Sequence, residues 1–432
     1  MRIDLFCQVV DNYGDIGVCW RLARQLSRSI PVRLFVDDLQ AFSRIEKAID
    51  PKQSPQRVAH TVIHHWADAE QAQPAPIVIE AFGCDLPERY IHHMPQHTQL
   101  WLNVEYLSAE SWVEDLHLMP SPQANGISKY FFFPGFTEKT GGLLAPMEGL
   151  EIVKAKVSRG VSNSVGVKLM ETVGSVDTVE KMSSPDDVGS ANQLEIVKPM
   201  EEADSISTAE SVATKNVAPA PAVGEQQPLP GAKTDASSNF DWQRFGLSIP
   251  SHHKVAFVFP YLNAPLETLY EALVQQVQPW TVLLAATAPE PVLSPEQRTR
   301  LSIHRLPFIQ QADFDALLDA ADLNIIRGED SFVRAIWAAK PFIWQPYIQD
   351  EDTHLEKLRA WLARTPFDAA TQQLIIDWST SQLCTEQLQQ ALQGLNGWQQ
   401  QCQAYARELA VHDDLVTQLI AFCSQKYKKA VK

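Results

Sequence analysis

The feature that most constrains the fold of this chain is a stretch of about one hundred residues that contains no aromatic side chain. No Phe, Trp or Tyr lies between Phe136 and Phe240, although the 432 residues include 18 Phe, 11 Trp and 9 Tyr. The stretch is rich in Ser, Val, Ala, Glu and Pro, a composition that buries too little apolar surface to fold by itself. The sequence therefore predicts two folded parts separated by a disordered insert at 145–239.

Both flanking parts alternate short apolar runs with amphipathic helical patterns. Continuous apolar strands between helices are typical of a parallel sheet that helices cover on both faces. The predicted fold is thus α/β, with one domain at 1–144, a second at 240–415, and a C-terminal helix or tail at 416–432 that we expect to pack back on the first domain. The predicted strands are Ile3–Val10, Val32–Phe35, Thr61–His64, Ile77–Phe82 and Leu100–Val104 in the first domain, and Val255–Phe259, Thr281–Ala285, Ser302–Leu306, Leu323–Ile326 and Phe342–Trp344 in the second.

The formal net charge of −16 limits the partners of the protein. An acidic surface repels phosphate backbones and anionic lipids, so neither nucleic acid nor a membrane is an expected partner. No apolar run reaches the roughly 18 residues that span a bilayer, and the first residues enter an apolar strand without a leader pattern. The six cysteines are scattered without metal-ligand spacing, so we expect no metal site, reduced thiols and a cytoplasmic location.

The first candidate loop follows the first predicted strand and reads Asp11-Asn12-Tyr13-Gly14-Asp15-Ile16-Gly17. In such sheets, ligands bind at the carboxyl ends of the strands. Gly14 and Gly17 allow a ligand to approach the backbone closely, but their spacing does not match the G-x-G-x-x-G of dinucleotide-binding loops. Asp11 and Asp15 are candidates for a general base. The alternative is that Asp11 forms an Asx-turn and Asp15 caps the following helix.

The second candidate loop, Arg327-Gly328-Glu329-Asp330-Ser331, again joins a strand to a helix. The backbone N–H groups of a helix start, together with the Arg327 guanidinium, form a cradle suited to a diphosphate. Glu329 would repel phosphate, but it can accept hydrogen bonds from sugar hydroxyls. The alternative is a capped helix with an exposed Arg–Asp pair.

Two further loops at the same predicted face carry aromatic side chains. Tyr261 follows the first strand of the second domain, and Phe308 and Phe314 lie on either side of Gln311 after the third strand. Aromatic rings can stack on a nucleotide base, and Tyr or Gln can reach its phosphates or edges. Taken singly, each ring is also what a core position would contain.

Three longer segments carry a resemblance to a known family: VDNYGDIGVCWRLAR at 10–24, FPGFTEKTGGL at 133–143 and RGEDS at Arg327–Ser331. In this order they closely resemble the bacterial elongation factor P arginine rhamnosyltransferases. The resemblance covers both α/β parts, whereas the stretch from about 145 to 239 has no recognised counterpart. It implies a GT-B fold, in which two Rossmann-like domains face each other across a cleft. It also implies an inverting, metal-independent transfer of rhamnose from dTDP-β-L-rhamnose to one arginine of elongation factor P.

The resemblance further implies roles for individual residues. Asp15 would be the general base, Asp11 the second important aspartate of its loop, and Glu329 a further member of the catalytic group. The protein partner would be elongation factor P, which we expect to bind the first domain around the Asp11 loop and residues 101–112. The residues that the resemblance places around the donor are Tyr261, Phe308, Gln311, Phe314, Arg327, Asp330, Ser331 and Tyr347. No cofactor other than this donor substrate is implied.

Three other hypotheses make different demands on the sequence. A related GT-B enzyme with another sugar or acceptor should not share the segments quoted above. A nicotinamide or flavin oxidoreductase needs a complete glycine fingerprint, although Asp37 and Asp38 could supply its acidic residue. A non-catalytic regulator would have lost carboxylates such as Asp15 and Glu329, which are present.

Overall fold

The computed structural model describes residues 1–10, 13–162, 240–285 and 288–430. These residues form two α/β halves within one structural unit. Most of the predicted insert, from 163 to 239, lies outside the described residues, and so does Asp11 of the first candidate loop.

The first half contains a single mixed sheet. Its strands are β1 Ile3–Cys7, β2 Val32–Val36, β3 Gln56–Val58, β4 Thr61–His65, β5 Ile77–Ala81, β6 Leu100–Val104, β7 Pro120–Pro122 and β8 Ser128–Phe132. They lie in the order β3-β4-β2-β1-β5-β6-β8-β7, in which the edge strands β3 and β7 run antiparallel to their neighbours and the remaining pairs are parallel. The five strands predicted for this half are all present. β1, β5 and β6 are buried along their whole length, which is why each reads as a nearly unbroken apolar run.

Helix α1 is the element of the first half that leads into the site. It starts directly after the first candidate loop, with Asp15 in its first turn and Arg24 in its last, a charge order that favours the helix dipole. Its apolar face, including Ile16 and Trp20, is fully buried. The helices up to the predicted insert are α1 Gly14–Leu26, α2 Leu39–Ile45, α3 Glu88–His97, α4 Trp112–Leu116 and α5 Leu150–Ser162.

The second half is a five-stranded, all-parallel sheet covered by helices. Its strands are β9 Lys254–Val258, β10 Trp280–Leu284, β11 Leu301–Arg305, β12 Leu323–Arg327 and β13 Phe342–Gln345, in the order β11-β10-β9-β12-β13. Each overlaps the strand predicted for it. The helices are α6 Leu266–Val274, α7 Pro295–Arg298, α8 Gln311–Ala320, α9 Glu329–Ala338, α10 Thr353–Leu362, α11 Ala369–Ser379, α12 Thr385–Gln393 and α13 Leu395–Leu409, with 3-10 turns in the chain at Trp66–Gln71, Trp242–Phe245 and Asp350–Asp352.

The last helix, α14 Leu415–Ala430, returns to the first half. Its side chains Leu419, Phe422 and Cys423 are buried in the core of that half, and the Lys426 ammonium lies 4.1 Å from the ring centroid of Tyr130. The C-terminal segment is thus mainly a helix that packs on the first domain. In the described ranges, no helix has the length and apolar character that crossing a bilayer requires.

The chain passes between the halves near Leu143 and again near Leu415, and these two segments lie side by side. Gly142 allows them to approach closely. Gly142 has φ +74°, and a Cβ at this position would lie 2.6 Å from the carbonyl oxygen of Asp413. One residue further, the carbonyl of Leu143 accepts a 3.0 Å hydrogen bond from the backbone N–H of Leu415. Any side chain at Gly142 would separate the two segments and strain the backbone.

Helix α5 corrects the predicted start of the insert, which was placed at 145. Val153 and Val157 of α5 are buried in the core of the second half, so the chain is folded up to Ser162. The absence of aromatic residues misled the prediction because a helix can bury a stripe of aliphatic side chains spaced one turn apart.

We expect Val157→Ala to lower the free energy of unfolding by about 1–3 kcal/mol, because it removes two methyl groups from a packed core. Val157 is 1% exposed, whereas Ile152 on the same helix is 49% exposed. Ile152→Ala is therefore the matched control, with an expected change within about 0.5 kcal/mol. Chemical denaturation measures both. Equal effects of the two changes would show that α5 does not belong to the core.

Candidate active site

The two candidate loops meet where the halves face each other. Helix α1 begins at Gly14, after the segment that follows β1, and α9 begins at Glu329, directly after Gly328 at the end of β12. The helices α1 and α9 pack against each other. The carboxyl ends of β1 and β12 therefore open on the same junction, as expected for ligand sites of parallel sheets.

Asp15 is buried at this junction, with 3% of its surface exposed. Its Oδ2 accepts a 2.9 Å hydrogen bond from the backbone N–H of Val10, and its Oδ1 lies 3.3 Å from the hydroxyl of Tyr106. Because these donors come from the end of β1 and from the segment after β6, the carboxylate faces the strand ends. This is a position from which a carboxylate can accept a proton from a ligand in the cleft.

Tyr106 was missed by sequence reasoning as an individual site residue. It follows β6 at the carboxyl edge of the sheet, so the rule that selected the other loops would have found it. Its ring stacks on Phe82 with centroids 4.3 Å apart and an interplanar angle of 13°. Desolvation of its hydroxyl, and then the carboxylates of Asp15 and Glu329, raise the pKa of Tyr106 above its ordinary value. The hydroxyl therefore remains protonated and is available as a donor.

Glu329, the first residue of α9, contacts the first half. Its Oε2 accepts a 3.1 Å hydrogen bond from the backbone N–H of Leu107. Leu107 directly follows Tyr106, so two consecutive residues of the first half touch two of the predicted catalytic carboxylates, Asp15 and Glu329. The structure thus brings these carboxylates, which come from opposite halves, to one place.

Arg327, at the end of β12, points to the other side of the loop. Its guanidinium carbon lies 4.5 Å from the ring centroid of Phe259 and 4.8 Å from that of Tyr261. The Tyr261 ring in turn contacts the exposed ring of Tyr347 at 5.7 Å. Within the described ranges, no carboxylate forms an ion pair with Arg327. The guanidinium is thus fixed by aromatic faces while its charge remains available to an anion.

Asp330, which was predicted to bind the sugar donor, contacts other protein side chains instead. One of its carboxylate oxygens pairs with the guanidinium of Arg21 on α1, and the other lies 3.3 Å from that of Arg334 on α9. Although burial opposes ionisation, these two guanidinium groups hold the pKa of Asp330 below its ordinary value. Arg334 also pairs with Asp315 of α8 at 2.6 Å. Asp330 therefore ties the second candidate loop to the first half.

Gln311 and Ser331 also use their polar groups within the protein. The Gln311 side-chain N–H donates a 2.9 Å hydrogen bond to the carbonyl of Gly17. A Cβ at Gly17 would lie 3.4 Å from the same nitrogen, so α1 and the Gln311 side chain are in close contact here. The Ser331 hydroxyl donates to the carbonyl of Arg327 at 2.5 Å, which closes the turn at the start of α9.

The two remaining predicted aromatic residues differ in exposure. Phe314 is half-buried beside Phe257, with the Arg334 guanidinium over its ring at 4.7 Å. Phe308 is exposed, and its ring lies 5.3 Å from that of Tyr13, in the first candidate loop. Phe308 is therefore the ring more accessible to a nucleotide base.

Comparison with known proteins decides the family. The profile of the family described as "Elongation-Factor P (EF-P) rhamnosyltransferase EarP" matches residues 3–181 and 226–424. The protein-arginine rhamnosyltransferase of Pseudomonas putida is 36% identical over 97% of each chain. That of Neisseria meningitidis serogroup B is 33% identical over 98% of this chain and 97% of its own. The chain belongs to the EarP family.

A solved structure, described as the "structural basis for EarP-mediated arginine glycosylation of translation elongation factor EF-P", has a similar fold. It matches with a TM-score of 0.53 and 22% identity over 98% of this chain and 99% of that chain. The shared fold is GT-B, in which two Rossmann-like sheets face each other with their carboxyl edges. Membership of the EarP family makes the chain an enzyme of the glycosyltransferase class. The oxidoreductase and regulator hypotheses are left without support.

In this EarP-family chain, a cavity adjoins the junction and has Arg21, Phe82, Glu105, Leu107 and Glu329 in its wall. Burial, and then the charge of Glu80, raise the pKa of Glu105 to about 7. Glu105 is the second functional candidate that sequence reasoning missed, and it also lies at the end of β6. Among the described residues, no three His, Cys, Asp or Glu side chains are grouped as a metal-ligand set.

The surface proposed for the acceptor protein needs a correction at one end. Trp101 is 4% exposed and its indole N–H donates to Glu80 in the core, so it cannot contact a partner. Trp112, at the start of α4, is 47% exposed. The β-strand position of Trp101, with its neighbours buried on both faces of the sheet, explains the difference.

We expect Arg21→Met to reduce sugar transfer about tenfold or more, because the second candidate loop loses its fixed position against α1. The free energy of unfolding should fall by about 1–3 kcal/mol, since Asp330 keeps its second guanidinium, that of Arg334. Arg24→Met on the same helix, where Arg24 lies over the Trp20 ring, is the matched control. Transfer assays and chemical denaturation measure the effects. Equal rates for the two variants would contradict the role of the Arg21–Asp330 pair.

Proposed function

We propose that the protein transfers L-rhamnose from dTDP-β-L-rhamnose to the side chain of one arginine of elongation factor P, in the cytoplasm, with inversion and without a metal ion. The observation that carries this proposal is the meeting of Asp15 and Glu329 at Tyr106 and Leu107, with the cationic Arg327 on the opposite side of the same loop. Membership of the EarP family, and the names of its relatives, support the choice of sugar and acceptor.

The acceptor sets the main chemical problem. An arginine side chain is protonated at neutral pH and is a poor nucleophile. A carboxylate fixed beside it can orient the guanidinium and accept a proton as the N–C bond forms. Asp15 is suited to this role because it is buried and held through both carboxylate oxygens. Glu329 reaches the same place from the other half and can accept hydrogen bonds from the sugar or the guanidinium.

The donor sets the second problem, which is the growing negative charge of the nucleoside diphosphate as it leaves. Preorganised positive groups stabilise such charge in the transition state. Arg327 is fixed by Phe259 and Tyr261, and α9, ten residues long, presents its N-terminus beside it. The exposed Phe308 ring can stack on the nucleotide base, and the exposed Tyr347 can reach the phosphates through its hydroxyl, as the resemblance implies.

The sugar then lies between these two groups. In an inverting transfer the nucleophile attacks from the face opposite the diphosphate, through an oxocarbenium-like state. Asp15 and Arg327 approach the junction from opposite halves, which is the arrangement that this geometry requires. Selection of one arginine among many requires recognition of a folded acceptor domain, and the exposed Trp112 is available to it.

The direct test is incubation of purified elongation factor P with the protein and dTDP-rhamnose, followed by intact-mass analysis and peptide mapping. We expect a gain of one deoxyhexose on one arginine, unchanged by EDTA. UDP-glucose and GDP-sugars should give no product. Transfer from one of these donors, but not from dTDP-rhamnose, would favour the alternative of a related GT-B enzyme with a different sugar.

We expect Asp15→Asn to abolish transfer, because an amide cannot accept the proton that leaves the guanidinium. Donor binding, measured by calorimetry, should survive. Asp37→Asn is the matched control. The carboxylate of Asp37 accepts a hydrogen bond from the backbone N–H of Val9, as that of Asp15 does from the neighbouring Val10. Retained turnover in Asp15→Asn would remove Asp15 as the base.

A further inference from the structure

We infer that Tyr106 is a positioning residue for Asp15, and that the stack of Tyr106 on Phe82 holds the Tyr106 hydroxyl in place to do so. The inference rests on the proposed function, because Asp15 matters as a base only if a proton must be removed from the acceptor.

The first observation is that each oxygen of the Asp15 carboxylate has a donor from a different element. Oδ2 accepts from Val10, after β1, and Oδ1 is within 3.3 Å of the Tyr106 hydroxyl, after β6. Two donors on two oxygens fix the plane of a carboxylate as well as its position. A separation of 3.3 Å is long for an O–H···O bond, and such bonds tighten when substrate closes the site.

The second observation is the unfavourable backbone conformation of Phe82, the residue on which Tyr106 stacks. Phe82 has φ +58°, a region that bulky side chains rarely adopt. A hydrogen bond from its backbone N–H to the carbonyl of Val104, 2.8 Å long, holds it there. In this conformation the Phe82 ring lies almost parallel to the Tyr106 ring. The other side of Tyr106 is exposed. Strained residues of this kind persist where the surrounding structure fixes them, and they concentrate at functional sites.

The third observation is the charge around the hydroxyl. Desolvation, and then the carboxylates of Asp15 and Glu329 that face the hydroxyl, raise the pKa of Tyr106, so the phenol remains protonated and can donate. Among the described residues, the thiols of Cys7 on β1 and Cys19 on α1 also lie near Asp15, and because burial raises their pKa values, both are neutral. A donor to a carboxylate favours its ionised form and lowers its pKa.

The test is Tyr106→Phe, which keeps the ring and its stack but removes the hydroxyl. Without this donor the pKa of Asp15 rises, so the acidic limb of the kcat/KM profile against pH should move to higher pH by about half a unit or more. We expect kcat to fall about tenfold, with donor affinity in calorimetry unchanged. Tyr130→Phe, at a tyrosine that packs on α14, is the matched control and should leave rate and profile unchanged.

A second variant tests the stack. Phe82→Gly accepts the positive φ without strain, so it removes the ring but not the backbone course. We expect a loss of kcat similar to that of Tyr106→Phe, again with donor affinity retained. A fall in kcat without a shift of the acidic limb in Tyr106→Phe, or full activity in either variant, would overturn the inference. Failure of the proposed function is distinguishable, because the wild-type protein would then transfer no sugar to elongation factor P.

Discussion

The ion pair between Arg21 and Asp330 is the contact on which the geometry of the site depends, because it joins the helix that carries Asp15 to the loop that carries Arg327 and Glu329. Breaking a buried pair is costly when a charge is left without a partner. Here neither charge would be left alone if the halves moved apart. Asp330 would keep Arg334, and Arg21 would keep the carbonyls of Leu144 and Ala145. The contact can therefore be specific where the halves meet without making their separation prohibitive.

The RGEDS segment, Arg327–Ser331, contributes to both halves of the site. Its five residues have five different tasks: Arg327 faces the aromatic rings, Gly328 supplies a positive φ, Glu329 reaches the first half, Asp330 holds Arg21, and Ser331 closes the turn. A substitution at any of them changes the relation between the halves or the cradle. A motif of this kind is expected where one short segment must satisfy both a ligand and a domain interface.

Sequence reasoning located the site because buried parallel strands read as apolar runs, and ligands bind at their carboxyl ends. It placed Asp15, Glu329 and Arg327 at the junction for that reason. It did not reveal that Asp330 faces Arg21, because no local pattern encodes a partner about three hundred residues away. It missed Tyr106 and Glu105 as individual site residues because the segment after β6 was predicted only as part of the acceptor surface at 101–112. It assigned α5 to the insert, because the side chains that α5 buries, Val153 and Val157, are aliphatic and not aromatic.

Gly328 separates the positive and negative side chains of the site. Its φ of +66° turns the chain sharply between β12 and α9, so Arg327 lies on the rings of the second half while Glu329 reaches the backbone of the first. Glu329 joins Asp15 there, with Glu105 in the adjoining wall. In the proposed function, the cationic acceptor would be attracted to the carboxylates of Asp15 and Glu329, and the anionic donor to Arg327. The order of charges across Gly328 would then orient both substrates, and a side chain at this position, which could not adopt the φ of Gly328 without strain, would disturb both binding events together.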